Sequence, residues 1–511
     1  MNKENGRTTK AIRNILWTYG NQLLMLILSF LSRTVFIWVF GLEYLGLNGI
    51  FTDILGMLSL TDLGLNSAMV YSFYDPLAKR DKRKIAALVQ FYRKIYITIA
   101  IVVFLLGICL IPFLPYIVNI QHNIPYINIY FIFAVANISA SYLFVYKTSV
   151  LTADQKNYIV VRIGMIVNMI KIIIQIVTML IFADYIVYLL LDLCGNLISN
   201  AIASHQTQKM YPFLREKAIL SYQEKNYIRK TIFSGMLYKI SSVLLNATDN
   251  ILISILVSTA AVGYYSNYLM IQTKATMFYS MAFTSITASI GNLMVQAAVE
   301  KRYQIFCIEQ TISSIVCLIF IPCYLLLIDD FIMLWLGTDF VLNHMVVLAI
   351  GCNMYLSCIL QPLWSYREAT GLYRKTKYVM LVCAFANIIL SIMFGMLWGI
   401  FGIIIASAIA RLSTYVWYEP AILFKQYFQK DVQLYYISLL REAVYIVILI
   451  VISERVFIHF SIDSWLMWGV KATLCIGVFS IISLLLHCRQ PGFYLLKDRC
   501  CRFLVSKNDK V

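Results

Sequence analysis

Apolar runs of about twenty residues recur along this chain with short polar breaks between them, and a helix of that length crosses the hydrocarbon of a bilayer. The runs fall at about 15–40, 46–73, 95–114, 127–147, 160–182, 185–205, 231–257, 262–290, 305–328, 341–365, 378–397, 400–423, 437–453 and 464–487. They predict an all-α polytopic membrane protein of about 14 transmembrane helices. Alternate breaks are short, at 41–45, 115–126, around Asp184, at 258–261, 329–343, around Trp398 and at 454–463. None of these is long enough to fold as a domain outside the bilayer.

The longest polar break, 205–230, follows six runs and includes Tyr211-Pro212 and a mixed-charge stretch, which reads as a linker between two lobes. A weak internal echo agrees. Leu45-Gly46-Leu47-Asn48-Gly49 opens the second run and Val262-Gly263-Tyr264-Tyr265-Ser266-Asn267 opens the eighth, about 217 residues later. Asn168 and Asn387 echo at nearly the same offset. Parallel repeats of six spans fit this, because an even number of spans restores orientation. The expected organisation is an N-lobe over 1–205 (spans one to six), a cytoplasmic linker over 206–230, a C-lobe over 231–424 (spans seven to twelve), and 425–511 holding spans thirteen and fourteen with a basic tail.

Composition agrees, with 61% hydrophobic and 13% charged residues, the latter about half the usual share of a soluble domain. The net charge of +17 would suggest nucleic acid, but its placement suggests a membrane. Alternate segments, beginning with Lys3 to Arg13 and Lys79 to Lys94 and ending with Arg489 to Lys510, hold 35 of the 42 lysines and arginines, and the intervening ones hold only Arg455. Lys and Arg resist translocation, so both termini are expected in the cytoplasm of a bacterial inner membrane. No nucleic-acid partner is expected. The first run is too long for a cleaved signal peptide and lacks a small-residue cleavage site.

Ionisable groups at membrane depth are costly and mark candidate sites. The basic set is Arg33, Lys171, Lys239, Lys274, Arg411 and Lys471, against the acids Asp53, Asp62, Asp192 and Asp249. Arg33 and Asp53 flank the first outer turn at similar depth, and Lys171 and Asp192 flank a later one, so both couples are placed to form ion pairs, structural or functional. Asn246, Asp249 and Asn250 share a helical face and suit an ion or a sugar hydroxyl, or a structural polar contact. The excess of six cations over four acids suits an anionic substrate.

Catalytic constellations are weak. The histidines, among them His122, His205 and His344, lack metal spacing, and the cysteines lie mainly within spans, so no metal and no cofactor is expected. Cys500-Cys501 could be acylated, though without lipidation context. Asp329-Asp330 is the one outward carboxylate pair, and the loop that carries it is too short for a membrane glycosyltransferase to hold an acceptor. No Gly-rich nucleotide loop with a lysine is present.

The stretches Ser32-Arg33-Thr34-Val35-Phe36-Ile37, Gly46-Leu47-Asn48-Gly49-Ile50-Phe51-Thr52 and Leu60-Thr61-Asp62-Leu63-Gly64-Leu65-Asn66-Ser67-Ala68 resemble the start of Wzx-like polysaccharide transporters of the multidrug/oligosaccharidyl-lipid/polysaccharide exporter superfamily. Thr248-Asp249-Asn250-Ile251-Leu252-Ile253-Ser254 looks like that family's seventh helix, and Ala369-Thr370-Gly371 is similar to its later inner loop. The resemblance implies a flippase, not an enzyme, that moves an undecaprenyl-pyrophosphate-linked glycan between leaflets by ion-coupled alternating access of two lobes. A polysaccharide polymerase and glycosyltransferases would be further partners. In that frame Arg33, Lys239, Lys274, Arg411 and Lys171 are the candidate phosphate-binding residues, and Asp53, Asp62, Asp249, Asn246 and Asn250 the candidates for ion coupling. A multidrug cation extruder, a membrane glycosyltransferase or polymerase, and a non-transporting scaffold stay open as alternatives.

Overall fold

The computed structural model describes residues 22–59, 65–119, 124–154, 156–216, 218–226, 228, 240–245, 247–284, 290, 294, 297–457 and 462–498, and all regular structure among them is helical. Backbone polar groups in hydrocarbon must be satisfied within their own segment, and the helix does this without a partner strand. The chain divides into two compact units, residues 1–263 and 264–511.

The first unit holds α1 (Gln22–Phe40), α2 (Leu42–Leu58), α3 (Leu65–Ala78), α4 (Lys82–Leu110), α5 (Ile127–Ala153), α6 (Tyr158–Phe182), α7 (Tyr185–Met210), α8 (Asp249–Leu256) and the opening of α9 (Thr259–Thr284). α5 lies at its centre, against α3, α4 and α7, and α6 packs on α7. Tyr92, Tyr96, Tyr142 and Tyr146 are buried among Phe73, Val103 and Val150. Exposed side chains such as Ile101, Leu105, Ile174 and Leu180 are apolar, as a surface facing lipid requires.

The second unit is built around α10 (Val299–Leu336), the most buried of the long apolar helices, with α11 (His344–Ile359), α16 (Gln433–Phe457) and α17 (Trp465–His487) packed on it. α12 (Gln361–Thr370) continues α11 after a bend of 44°. α13 (Tyr373–Trp398) and α14 (Ile400–Ser413) form an antiparallel pair joined at Gly399, and α15 (Tyr415–Leu423) follows α14.

Ten helices among the described residues are long and apolar enough to cross a membrane, and the bent α11–α12 pair makes eleven. The other predicted spans are the second, seventh and eighth, each of which includes residues outside the described set. The eighth is α9, long but carrying Asn267, Gln272, Thr273 and Lys274. The chain is a multi-pass membrane protein.

Helix starts follow side-chain caps. Asp81 accepts from Lys84 N–H at 2.9 Å, Asp184 from Ile186 N–H at 2.7 Å, Asn343 from Met345 N–H at 2.9 Å and Ser464 from Met467 N–H at 3.3 Å. α4 begins at Lys82, earlier than its apolar run, so Lys82, Arg83, Lys84, Arg93 and Lys94 lie on a helix that continues past the hydrocarbon. The polar break also has local order: Ser221 and Glu224 form a reciprocal capping box, and Glu224 reaches Lys84 at 3.1 Å. The Lys84 contact holds the Glu224 carboxyl below its usual value. Asp154 is bridged to Lys156 at 2.6 Å and accepts from the Tyr211 hydroxyl, which ties the α5–α6 connection to the end of α7. Partial burial would raise the Asp154 carboxyl, but these two donors bring it below its usual value.

Candidate functional site

The two echoed motifs meet in the first unit. A Cβ on Gly46 of α2 would lie 1.9 Å from the Thr259 carbonyl oxygen, and one on Gly263 of α9 would lie 2.4 Å from that of Leu42. Only glycine permits that approach. The corner is stitched further by Thr259 N–H to the Asn119 carbonyl (2.8 Å) and by Ser254 Oγ to the Ile117 carbonyl (2.7 Å).

Below this crossing, Asp53 of α2 accepts hydrogen bonds from the backbone and side-chain amides of Asn250. Asn250 is buried near the start of α8, where Thr248 offers no side-chain cap. Asp53 therefore caps α8 from the neighbouring helix, placing a carboxylate on the positive end of the helix dipole. Asp249 is the first residue of α8, whereas Asn246, Asp62 and Lys239 lie outside the described residues.

A second polar group joins α5, α6 and α7. Lys171 Nζ lies 2.6 Å from Asp192 Oδ1, and Asn137 Nδ2 donates to Asp192 Oδ2 at 2.6 Å. Asn196 donates to Asn137 Oδ1 at 2.7 Å, and Asn200 donates to Asn196 Oδ1 at 2.7 Å. The Lys171 stem crosses Gly195, where a Cβ would fall 2.5 Å from Lys171 Cδ. Tyr188, one turn before Asp192, lies within electrostatic reach of both Asp192 and Arg33 of α1. Asp53, which the sequence placed opposite Arg33, is met by Asn250, and Arg33 lies within electrostatic reach of Tyr188.

In the second unit Lys274 lies half-buried on α9, and Arg411 on α14 donates to Ser357 Oγ at 3.3 Å. Lys471 on α17 bridges Asp330 of α10 at 2.6 Å, and the Tyr268 hydroxyl donates to Asp329 at 2.8 Å. The Asp329-Asp330 couple is thus divided between two partners. Asn387 donates to Ser407 Oγ at 2.7 Å.

Sequence reasoning missed two buried ion pairs. Arg367 Nη1 reaches both oxygens of Glu419 at 3.1 Å, and Glu442 is held by Arg441 at 2.9 Å and His487 at 3.1 Å. Glu309 is buried as well. All three glutamates lie within predicted spans, and counting them raises the acids from four to seven, which removes the excess of the six cations. The amides of Asn137, Asn196 and Asn200 were missed too; on α7, the i, i+4, i+8 spacing of Asp192, Asn196 and Asn200 was the available signal.

No protein-family model matches the sequence, and no curated protein matches it. Solved structures do match in fold. The lipid II flippase MurJ in an inward closed conformation aligns over 94% of this chain and 100% of its own, with a TM-score of 0.67 at 15% identity. An inward-facing multidrug resistance MATE transporter of the MOP superfamily aligns over 78% of this chain and 95% of its own, with a TM-score of 0.57 at 14% identity. A MOP superfamily transporter from Pyrococcus furiosus, described as having a binding pocket of reverse polarity, aligns over 80% of this chain and 95% of its own, with a TM-score of 0.52 at 16% identity. The chain therefore has the fold of MOP-superfamily transporters.

Proposed function

We propose that this protein is a flippase for a lipid-linked glycan, carrying an undecaprenyl-pyrophosphate-linked oligosaccharide or polysaccharide precursor from the cytoplasmic to the outer leaflet. The observation that carries this reading is the alignment with a lipid II flippase over 94% of this chain and the whole of that one, where the MATE transporter covers 78%. A pyrophosphate and a glycan need a polar path through hydrocarbon, while a prenyl tail can stay in lipid. Arg33, Lys239, Lys274 and Arg411 are the proposed phosphate ligands. Lys171 is held by Asp192 in this conformation, so its part is proposed as a pair that opens when substrate enters. Asp53, Asp62, Asp249, Asn246 and Asn250 are proposed to couple ion entry to release, and both termini are proposed to be cytoplasmic from the charge bias.

The test uses cells whose only copy carries Lys274→Ala or Arg411→Ala. A charge-assisted phosphate contact contributes about 1.5–3 kcal/mol, so lipid-linked glycan should accumulate on the inner leaflet at unchanged protein abundance. Normal export by both variants would remove the phosphate-ligand assignment. Efflux of cationic dyes with no effect on glycan export would favour the multidrug reading.

A further inference from the structure

In the second unit α10, α16 and the helical segment 491–498 enclose a cavity of about 760 Å³. Segment 491–498 comes this close because of Gly492, where a Cβ would fall 2.0 Å from Thr311 Oγ1 and 2.6 Å from the Cys307 carbonyl. One wall is aromatic, with Phe306 and Phe424 rings 5.5 Å apart and Tyr435 5.4 Å from Phe424. Leu434 lines the opening and is itself exposed, beside Ile437 and Leu440 on the outer face of α16. The apolar lining therefore runs out onto lipid-facing surface.

The charged residues of the lining are Glu300, Arg441 and Arg489, beside neutral polar groups such as Gln304, Gln310 and Ser438. Arg441 and Arg489 both face the cavity. Glu300, on the rim, is taken by Lys430 at 3.0 Å, and Glu442, behind Arg441, is taken by Arg441 and His487. Lys430 and Arg441 thus match the two carboxylates, and Arg489 is the surplus positive charge at the cavity. Arg489 is exposed and forms no ion pair among the described residues. A guanidinium presents several donors in a plane suited to phosphate oxygens, and basic pockets between membrane helices suit acidic lipid headgroups.

We propose that this cavity holds an acidic glycerophospholipid of the surrounding bilayer, with its phosphate between Arg441 and Arg489 and its glycerol and first acyl carbons against Phe306, Phe424 and Leu434. The volume accommodates the headgroup and the start of the chains, and the remaining acyl carbons lie along the exposed face of α16. A water-soluble anion would match the arginines and leave the apolar wall unused. This site is independent of what the protein transports.

The test is native mass spectrometry and thermal melting of the purified full-length chain with phosphatidylglycerol, with phosphatidylcholine of the same acyl chains, with inorganic phosphate, and with farnesyl pyrophosphate. Phosphatidylglycerol should stay bound and raise the melting temperature, and phosphatidylcholine and phosphate should not. Arg489→Gln should weaken phosphatidylglycerol by roughly tenfold or more, and Ser438→Phe, which fills the cavity, should abolish its retention. If Ser438→Phe does not fold, Arg489→Gln on the rim decides alone. Equal retention of phosphatidylcholine, an unchanged affinity in Arg489→Gln, or the same stabilisation by phosphate alone overturns the proposal. Displacement of phosphatidylglycerol by equimolar farnesyl pyrophosphate overturns it too, in favour of a prenyl-substrate site.

Discussion

Gly46 and Gly263 occupy reciprocal places: the first lies under the carbonyl of Thr259, the second under that of Leu42. Leu42 precedes Gly46 by four residues, as Thr259 precedes Gly263, so both couples repeat at the 217-residue offset of the sequence echo. The echo is therefore a packing contact as well as a sequence similarity.

Gly46→Ala and Gly263→Ala should each force α2 and α9 apart. Overpacking costs about 1–3 kcal/mol, and because the two glycines share one crossing, the double variant should lose less than the sum. Thermal melting of the four proteins checks this, and a strictly additive loss would mean that the crossing does not act as a unit.

The Lys171–Asp192 pair separates a structural from a substrate-binding lysine. Lys171→Ala alone leaves Asp192 with Asn137 as its hydrogen-bond partner among the described residues, and because Asp192 is about a third exposed the loss should fall below the ~3–5 kcal/mol of a fully buried pair. Lys171→Ala with Asp192→Ala should restore abundance. Export that recovers with abundance assigns the pair to structure, and export that stays defective assigns Lys171 to the substrate.

At the α8 start, Asp53→Asn keeps an acceptor for the Asn250 amides and loses the charge. It should preserve abundance and reduce glycan export, as should Asp249→Asn. Degradation of Asp53→Asn would show that the carboxylate is needed as a helix cap and would count against ion coupling.

Arg367→Ala leaves Glu419 without its guanidinium partner in a buried position, so the protein should be lost from the membrane. Arg367→Met with Glu419→Leu should accumulate better than Arg367→Ala. Immunoblotting of membranes compares them, and equal loss in both would point to a requirement for the charges themselves.

The Asp154–Lys156 bridge predicts a pH dependence. The Asp154 carboxyl lies below its unfolded value of about 3.9, so its contribution is complete above that pH and is lost as pH falls through the folded value. Lys156 is raised by the same contact, so its share is complete below about pH 10.4 and is lost as pH rises through its folded value. With both side chains more than a third exposed or nearly so, the bridge contributes about 0.2–1 kcal/mol. The melting difference between the native protein and Asp154→Asn should be flat from about pH 5 to pH 9 and shrink on either side; a difference that grows in acid would contradict it.

Some helix starts were legible because the residues that end apolar runs also make the caps, as at Asp184, Asn343 and Ser464, whereas α4 and α10 extend well beyond their apolar runs. The Lys171–Asp192 pair was legible because one short turn fixes the relative depth of its two helices. Arg367 and Glu419 were not, since the 44° bend between α11 and α12 returns Arg367 towards α15, and no count of residues from a span end reveals a bend. Glu442, within one predicted span, and His487, at the end of the next, meet across α16 and α17, a pairing that depth alone does not show. Depth along one axis was readable; which helix faces which was not.

The row Asn200, Asn196, Asn137, Asp192 has a direction. An ionised carboxylate can only accept, so Asp192 obliges Asn137 to turn its NH₂ towards it, which leaves the Asn137 oxygen to receive Asn196, and the Asn196 oxygen to receive Asn200. Backbone carbonyls, which also can only accept, set the same sense: Asn196 Nδ2 donates to the Asn137 carbonyl at 3.2 Å and Asn200 Nδ2 to the Asn196 carbonyl at 2.9 Å. One amide orientation thus runs eight residues along α7, about 12 Å at 1.5 Å per residue, with a carboxylate at one end and main-chain oxygens holding it along its length. The row is a seam with a fixed polarity, its donors all turned towards Asp192.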